Sequence, residues 1–364
     1  MMKKLMLTVL LASVALGVMA QEGKFTLTGT VKGLTMAYHA LTDAKGETSS
    51  DGMLFFNAGK VDLSFDVEEV GWLMLVASGR VVLLPAVPGE AVTIGGDIDN
   101  YTLDGSALYK EYNEFLTTAR PLQAAASKYD FKQACKDEIA GKTSEQVFDL
   151  YQRKMRENSQ PLTDAVMDFV GRHADHESSM MVLNFLNYAE DMEQARELIS
   201  ETVFNGRMRP LYEGPMERVT RFGASNPLNG KPAPDFKLKS IDGGELSLSS
   251  LRGKWVLLDF WSSTCDNALD QMPVLKELYA NYKDHVEVLG VDCEDEEADW
   301  QAAVSEYQLP WLNVLGSFDG DDSPVNLYHE TATPAYVLIT PSGRVAMALG
   351  SAEECKYMCK LLFE

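Results

Sequence analysis

The most constraining feature of this sequence is an apolar strand that leads directly into a helix with a cysteine at its start. The strand is KWVLLDFW at 254–261, and helical periodicity follows from 266 to 282, with an interruption at Pro273. Cys265 stands between the two. A strand that is apolar on both faces is typical of a parallel sheet, whose strands are joined by crossover helices. This stretch therefore predicts an α/β arrangement.

Strand-like and helix-like segments also alternate on both sides of this unit. They comprise a hairpin at 235–253, a second apolar strand at 285–292, a helix at about 296–307, a hairpin at 335–350 and a closing helix at 351–363. Strands that alternate with helices predict a sheet with a parallel core, an antiparallel edge and cover on both faces. We expect one domain over 226–364.

Two regions with different sequence patterns precede this domain. Residues 21–105 contain short alternating runs broken by glycine, which predict an antiparallel β domain, either a sandwich or a barrel. Residues 106–225 show helical spacing and predict a helical segment in which Pro161 marks a helix start or break. The stretch 223–236, rich in Gly, Pro and Asn, predicts a linker.

The first twenty residues have the pattern of a secretory signal peptide. Lys3 and Lys4 precede an apolar run over 5–18, and small residues stand before Gln21. We expect cleavage after residue 20 and a mature protein in the periplasm or outside the cell. There is no cysteine at the cleavage point, so no lipid attachment is predicted, and no membrane insertion is expected after cleavage.

Charge and cysteine content limit the partners. A formal net charge of −22 disfavours nucleic acid and anionic membrane surfaces. The sequence predicts no cofactor, no metal and no particular oligomeric state. Five cysteines are an odd number in a compartment that permits disulfides, so at least one is free or pairs with another molecule: Cys135, Cys265, Cys293, Cys355 and Cys359.

Several short motifs in order resemble one family. They are GKPAPDF at 230–236, LRGKWVLLDFW at 251–261, Cys265, Met-Pro at 272–273, GVD at 290–292, LPW at 309–311 and Thr-Pro at 333–334. Together they resemble the thioredoxin fold, and more closely the TlpA-like and AhpC/TSA-like thiol-disulfide oxidoreductases, over about 226–364. The β region before them is similar to a bacterial β domain of unknown function that often accompanies such domains. The resemblance implies thiol-disulfide exchange with protein or small-molecule thiols and disulfides.

The site departs from the family pattern W-x-x-W-C-x-x-C in a specific way. Trp261 and the Met272-Pro273 pair keep the family spacing, so the register is intact. The second Trp, the Gly-Pro pair and the resolving Cys are replaced by Thr264, Asp266-Asn267 and Ala268. Without a sulfur at 268 the chain cannot expel a client from a mixed disulfide with its own neighbouring thiol. A thiol from elsewhere must act, or the adduct persists.

Cys265 is the candidate nucleophile. At a helix N-terminus, free backbone N–H groups and the macrodipole stabilise a thiolate, while the adjacent Asp266 opposes it. Asp259, six residues earlier, matches the buried acid that in the family assists deprotonation of the resolving Cys. A strand-end Asp that makes local hydrogen bonds is an equally good interpretation.

Two further candidates come from the resemblance and from the topology. Thr333 and Pro334 match the family's cis-proline loop, which lies against the active-site sulfur and offers a strand edge to an extended peptide. Cys293 follows the second apolar strand, which ends at the same sheet edge as the strand before Cys265, so it is the candidate second thiol. A disulfide would need the two Cα atoms within about 7 Å. For Cys135, Cys355 and Cys359, packing in the core is the stronger interpretation.

Three functions follow. The first is an exported thiol-disulfide exchange protein with Cys265 as the only nucleophile at its site. The second is a non-catalytic thioredoxin-fold binding module. The third, less favoured, is a single-cysteine peroxidase, for which Ser262 fits the expected pattern but Leu258 stands where a proline is expected.

Overall fold

The computed structural model describes residues 23–223, 225–293, 296–320, 323–330 and 333–364. The expected signal peptide, residues 1–20, lies outside the described residues. The chain divides into two compact units, the first ending at Asn113 and the second comprising Glu114–Glu364. Among the described residues, every helix is too short or too polar to cross a lipid bilayer.

The first unit is built from strands that follow the predicted alternation of apolar and polar residues. They are β1 (Lys24–Thr30), β2 (Met36–Asp43), β3 (Thr48–Phe55), β4 (Lys60–Asp66), β5 (Gly71–Ala77), β6 (Arg80–Ala86), β7 (Ala91–Gly96) and β8 (Tyr101–Asp104). In the described part of the chain they form two four-stranded sheets, ordered β4-β1-β7-β8 and β3-β2-β5-β6. Neighbouring strands are antiparallel except for β1 and β7, which run parallel.

These two sheets pack face to face as a sandwich. The ring of His39 on β2 lies 5.5 Å from that of Phe65 on β4, centroid to centroid. The Tyr101 hydroxyl on β8 donates a hydrogen bond of 2.9 Å to the carbonyl of Leu83 on β6. Contacts of this kind join the inner faces of two separate sheets. Of the two predicted alternatives, this region is therefore a sandwich and not a barrel.

Helices occupy the middle of the chain, as the spacing predicts. They are α1 (Ala107–Ala126), α2 (Phe131–Ala134), α3 (Lys136–Ile139), α4 (Ser144–Arg172), α5 (Ser178–Met181), α6 (Ala189–Leu198), α7 (Glu201–Phe204) and α8 (Pro210–Arg221). The start of α4 has a capping box, in which Thr143 and Gln146 each bond the other's backbone N–H. The cap fixes the start of a helix that packs against the C-terminal sheet.

The remaining elements form the predicted α/β domain. They are β9 (Lys237–Ser240), β10 (Glu245–Ser247), β11 (Trp255–Trp261), α9 (Asp266–Tyr282), β12 (Val286–Asp292), α10 (Glu297–Glu306), β13 (Leu312–Leu315), α11 (Pro324–Leu327), β14 (Ala335–Ile339), β15 (Val345–Leu349) and α12 (Ala352–Phe363). In the described residues these strands make one sheet, ordered β10-β9-β13-β12-β11-β14-β15. The central strands β11, β12 and β13 are parallel and the outer pairs are antiparallel. The parallel core is the predicted one, and the sheet has antiparallel strands on both sides of it, where the sequence predicts an antiparallel edge.

Alternation along the buried strands divides the core into two layers. On one face Leu257 and Trp261 pack with α9, α10 and α12, and on the other Leu258 and Phe260 pack with the α11 region. Helix α4 joins the first face, where Trp255 donates a 2.8 Å hydrogen bond from Nε1 to Ser144 Oγ. We call these the α9 face and the α11 face of the sheet.

Two prolines lie inside helices where the sequence predicts a break. Pro161 is within α4 and Pro273 is within α9, and each helix continues through its proline. The prediction that they start or interrupt helices is wrong. A proline removes one backbone hydrogen bond, but here apolar residues before and after it bury the same helix face, for example Phe148 and Phe169 in α4. Packing therefore holds each helix together across the missing bond.

Candidate functional site at Cys265

Cys265 lies where a buried strand meets a helix. β11 is buried along its whole length, and Cys265 is the N-cap residue of α9, with φ −98° and ψ 98°. Its carbonyl oxygen accepts hydrogen bonds from the backbone of Ala268 and Leu269, at 3.0 and 3.1 Å. The first turn of α9 therefore directs its N–H groups toward the residue that carries the sulfur. The side chain of Cys265 is half-buried.

Thr333, just before β14, lies against the sulfur. The Thr333–Pro334 peptide bond is cis, and the Cys265 Sγ lies 3.3 Å from the Thr333 carbonyl oxygen in hydrogen-bonding geometry. The structure therefore brings together three of the residues singled out in the sequence, Cys265, Thr333 and Pro334. The two residues before Thr333 lie outside the described part of the chain.

The position of the family's resolving cysteine is occupied by a methyl group. Ala268 is 1% exposed and belongs to the core of the α9 face together with Met272. One helical turn separates it from Cys265. The site therefore has one partly exposed thiol, and one helical turn after it the side chain is a buried methyl group.

Asp259 lies on β11, the strand that leads into this site, opposite Tyr336 on β14. It is 1% exposed, and among the described residues neither carboxylate oxygen has a hydrogen-bond partner. Burial raises the pKa of Asp259 to about 7, because a carboxylate loses its hydration inside the protein. The interpretation of Asp259 as a strand-end residue that makes local hydrogen bonds does not fit this geometry.

Sequence reasoning missed the residues that surround Asp259. Tyr336 on β14 is its register partner, and the Tyr336 hydroxyl donates to Gln271 Oε1 at 3.4 Å. The same Gln271 oxygen accepts a 2.7 Å bond from the backbone N–H of Ala352, at the start of α12. Burial, followed by the charge of Asp259, raises the pKa of Tyr336. The signal for Tyr336 is its place two residues after Pro334, on a strand that pairs with β11.

Cys355 belongs to the same region. It is 1% exposed on α12, packs in the core of the α9 face, and burial, with further contributions from Cys359 and Asp259, raises the pKa of its thiol well above the usual value. Burial likewise raises the pKa of Cys359 to about 12. Both thiols are therefore neutral at physiological pH and serve as apolar packing groups.

Cys293 and Cys265 lie on opposite faces of the sheet. The Cys293 backbone N–H donates to the Trp261 carbonyl at 3.0 Å, so the two strand ends are adjacent as expected. The Cys293 side chain, however, is 2% exposed in the core of the α11 face, while Cys265 packs against the α9 face. All five cysteines are within the described residues, and none of them is in a disulfide. The structure does not join Cys293 to the candidate site.

A buried ion pair lies close to the cis-proline loop in sequence. Glu330 precedes Pro334 by four residues, and its side chain is 1% exposed. Its Oε2 is 3.6 Å from Nε of Arg221, the last residue of α8. Burial raises the pKa of Glu330 to about 7, and Arg221 partly offsets the effect. No sequence pattern indicates this pair, because its partners come from distant segments.

The region that contains this site is similar in sequence to known proteins. Residues 229–348 match the model of the AhpC/TSA family. The thiol-disulfide oxidoreductase ResA of Bacillus cereus is 31% identical over 117 residues, which cover 32% of this chain and 66% of that protein. The ResA protein of Oceanobacillus iheyensis is 34% identical over 121 residues, covering 32% of this chain and 62% of that protein. In both cases the chain spans less than two thirds of the relative's own length.

Solved structures match over the same region. One is the thioredoxin domain of a thiol-disulfide oxidoreductase from Bacteroides vulgatus, 26% identical, covering 37% of this chain and 98% of that one with a TM-score of 0.35. Another is a thiol-disulfide oxidoreductase from Bacteroides fragilis, 27% identical, covering 35% and 97% with a TM-score of 0.32. Together the family model and the ResA relatives support a TlpA-like thioredoxin-fold family for the C-terminal region of this chain.

Proposed function

We propose that this protein performs thiol-disulfide exchange through one thiol, Cys265, on protein or small-molecule substrates in the cell envelope. The observation that carries the proposal is the placement of Cys265. Its half-buried sulfur is at the N-terminus of α9 and 3.3 Å from the Thr333 carbonyl oxygen, while the position one turn later is Ala268. The named activity of the ResA relatives, thiol-disulfide oxidoreductase, supports the same chemistry.

The exchange conserves electrons and atoms. The Cys265 thiolate attacks one sulfur of a substrate disulfide, a new S–S bond forms to Cys265, and the other substrate sulfur leaves as a thiolate that takes a proton from solvent. A second thiol, from the substrate or from a small molecule, then attacks the mixed disulfide and releases Cys265. The substrate disulfide is rearranged or transferred, with no net oxidation of the protein.

Resolution by a thiol of another molecule follows from the positions of the other cysteines. Ala268 has no sulfur, and Cys293 lies on the α11 face, away from Cys265. Cys355 is buried, and its thiol has a raised pKa, so it is a poor nucleophile at neutral pH. We therefore expect the mixed disulfide at Cys265 to be long-lived until an external thiol reaches it.

Asp259 makes the site sensitive to pH in this proposal. With a pKa of about 7 it changes from a neutral acid to a carboxylate over the neutral range. The charged form lacks hydration and has no hydrogen bond among the described residues, so the stability of the strand that leads into the site depends on pH.

Export is part of the proposal. It rests on the signal-peptide pattern of residues 1–20. In an oxidising compartment disulfide substrates are available, which an exchange protein needs.

One alternative function has an observation in its favour. Ala268 fills the resolving position with an apolar contact, as expected of a thioredoxin-fold binding module in which Cys265 is no longer used. Such a module would hold an extended peptide beside Thr333 without forming a covalent bond.

The test is to trap the mixed disulfide. The fully reduced full-length chain is incubated with glutathione disulfide, and the products are identified by mass spectrometry after quenching in acid. We expect one glutathione adduct, on Cys265, which persists after removal of the reagent and is released by reduced glutathione. Cys265→Ser should form no adduct, and Cys135→Ser, a change at a buried cysteine of the helical segment, should react as the parent does.

The other outcomes decide between the alternatives. If Cys265 forms no adduct although it is accessible to a small alkylating reagent, thiol-disulfide exchange is excluded and the binding module is favoured. If instead the protein consumes hydrogen peroxide in a reaction that Cys265→Ser abolishes, the site is a single-cysteine peroxidase.

A further inference from the structure

A large cavity lies away from Cys265, between the helical segment and the edge of the sheet. It has a volume of about 760 Å³ and is bordered by α4, α8, β15 and α12. Cavities of 300–1,000 Å³ are typical of sites that hold small organic ligands. All of its walls belong to the second unit of the chain.

Most of the cavity wall is apolar. Its apolar lining residues include Met155, Phe222, Met347, Leu349 and Met358. Methionine and aromatic side chains adapt to ligands of irregular shape, because thioether chains are flexible and rings offer large flat surfaces. A ligand that fits here must therefore carry a sizeable apolar body.

Polar side chains from the helical segment and from α12 also line the cavity. Tyr151, Ser159 and Tyr188 bring hydroxyl groups to the wall, and Asn187 brings an amide. Arg218 is the one cationic residue among the described lining residues. A mostly apolar wall that also carries polar groups suits a ligand with an apolar body and a polar end.

Arg218 has unused capacity for an anion. Its Nη2 donates to the carbonyl of Leu186 at 3.2 Å, and no carboxylate of the described residues forms an ion pair with it. Arg156, close by, is different, because its guanidinium already makes two hydrogen bonds to Asp191, of 2.5 and 2.6 Å. A guanidinium has five N–H donors in a fork that matches a carboxylate, so most of the donors of Arg218 remain available.

The acidic residue on the wall is held in place by the protein. Glu354 lies in the first turn of α12, and its Oε2 accepts a 2.9 Å bond from the backbone N–H of Gly350. Glu354 therefore accepts a hydrogen bond from its own backbone segment, and among the described residues it forms no ion pair with Arg218.

We propose that this cavity binds a small organic acid whose carboxylate pairs with Arg218 and whose aliphatic or aromatic body lies against the methionines and Phe222. Charge complementarity selects this occupant. In a chain of net charge −22, one guanidinium with no acidic partner facing an apolar cavity favours a single negative charge attached to an apolar group. This site is separate from the Cys265 site and does not depend on its chemistry.

The test uses decanoate as the acid and decan-1-ol as its uncharged analogue. Isothermal titration calorimetry on the full chain should show saturable binding of decanoate with one site per chain. Decan-1-ol should bind at least about tenfold more weakly, because it lacks the charge-assisted hydrogen bonds to Arg218. Arg218→Gln should lower the affinity for decanoate by a similar factor and leave the affinity for decan-1-ol unchanged.

Two further variants complete the design. Arg153→Gln removes the same charge from an exposed position of α4 outside the cavity and should not alter binding. Ser159→Trp fills the cavity and should abolish binding of both ligands. If Ser159→Trp does not fold, the exposed substitution at Arg218 still decides the question.

Three results would overturn the proposal. They are the absence of saturable decanoate binding at millimolar concentration, equal affinity of the parent for decanoate and decan-1-ol, and an unchanged decanoate affinity in Arg218→Gln.

Discussion

Asp259 and Tyr336 are directly opposite each other on the antiparallel strands β11 and β14, and both are buried on the α9 face. The carboxylate has no hydrogen bond among the described residues, and its pKa is about 7. The tyrosine hydroxyl is turned to Gln271. An ionisable group is therefore retained in the core without a partner, at a cost in stability that depends on pH.

Asp259→Asn should stabilise the protein at pH 8 and change it little at pH 4. The folded state holds the proton of Asp259 more tightly than the unfolded state, whose value is near 3.8. The stabilisation from this proton is complete below about pH 4, declines between pH 4 and 7, and is lost above pH 7. A neutral amide avoids the loss, so we expect a gain of about 2–4 kcal/mol at pH 8.

Guanidinium unfolding followed by tryptophan emission measures this gain. Four of the five tryptophans lie in the second unit, namely Trp255, Trp261, Trp300 and Trp311, so the signal reports mainly on the unit that contains Asp259. A variant whose stability falls between pH 4 and 8 as steeply as that of the parent would show that Asp259 is not the group that titrates.

Ala268→Cys should convert the site to a dithiol. Position 268 is one turn from Cys265, so the new thiol would attack a mixed disulfide within the molecule at a high effective concentration. We expect the rate of insulin reduction with dithiothreitol to exceed that of Ala268→Ser by at least about tenfold. Overpacking at this closed position should cost about 1–3 kcal/mol. Equal rates for the cysteine and serine variants would mean that the two sulfurs cannot meet.

Cys265 should be the cysteine that reacts with iodoacetamide in the folded protein. It is half-buried, whereas the other four cysteines are at most 2% exposed. Peptide mapping should find one alkylated residue in native buffer and five in denaturant. Mild oxidation should give no disulfide between Cys265 and Cys293, because their side chains are on opposite faces of the sheet. Detection of that disulfide would contradict the arrangement of the two strands.

Much of the C-terminal fold and of the thiol site could be predicted from sequence, because local patterns encode them. A fully apolar β11, a helix after Cys265 and the Thr333-Pro334 pair each have a signal within a few residues. Strand β2, in the first unit, has no such local signal. Its sequence MAYHALTD contains a single β-branched residue and does not have the composition typical of a strand. Its pairing with β3 and β5 supplies what the local sequence does not.

Side-chain direction and distant partners were harder to predict. The topology correctly placed Cys293 beside the end of β11, but which face it occupies depends on the register of its strand, and one residue reverses the face. Arg221 and Glu330 come from separate segments, and neither neighbourhood indicates an ion pair. Pro161 was misread because the cost of proline is local, whereas the packing that overcomes it is tertiary.

Arg221→Gln should destabilise the protein more at pH 8 than at pH 5. At pH 8 Glu330, with a pKa of about 7, is ionised, and the substitution leaves its buried carboxylate without a cation. At pH 5 Glu330 is mostly protonated and needs the cation less. We expect a loss of about 1–3 kcal/mol at pH 8 and a smaller one at pH 5.

Arg209→Gln is the matched control for this loss. Arg209 pairs with Glu213 on the surface, with both side chains about half exposed, so its removal should cost less than about 1 kcal/mol at either pH. Equal losses for the two variants, or a loss at Arg221 that does not grow with pH, would show that the buried pair contributes no more than a surface pair.

Gly290→Ala should destabilise the core beside Asp259. Gly290 is the register partner of Asp259 on β12, and an added Cβ would overlap Asn313 Oδ1 and lie 3.1 Å from Trp261 Nε1 and 3.2 Å from Trp311 Nε1. These are buried atoms on packed rings and a short amide, which cannot swing away as a flexible side chain can. We expect a loss of about 1–3 kcal/mol in the unfolding free energy, measured in guanidinium.

Gly171→Ala in α4 is the control, because nothing lies within 4 Å of its added Cβ and alanine favours a helix, so it should gain about 0.5–1 kcal/mol. A Gly290→Ala variant as stable as the parent would mean that the indole nitrogens and Asn313 rearrange freely, and that the core beneath Cys265 is looser than its burial indicates.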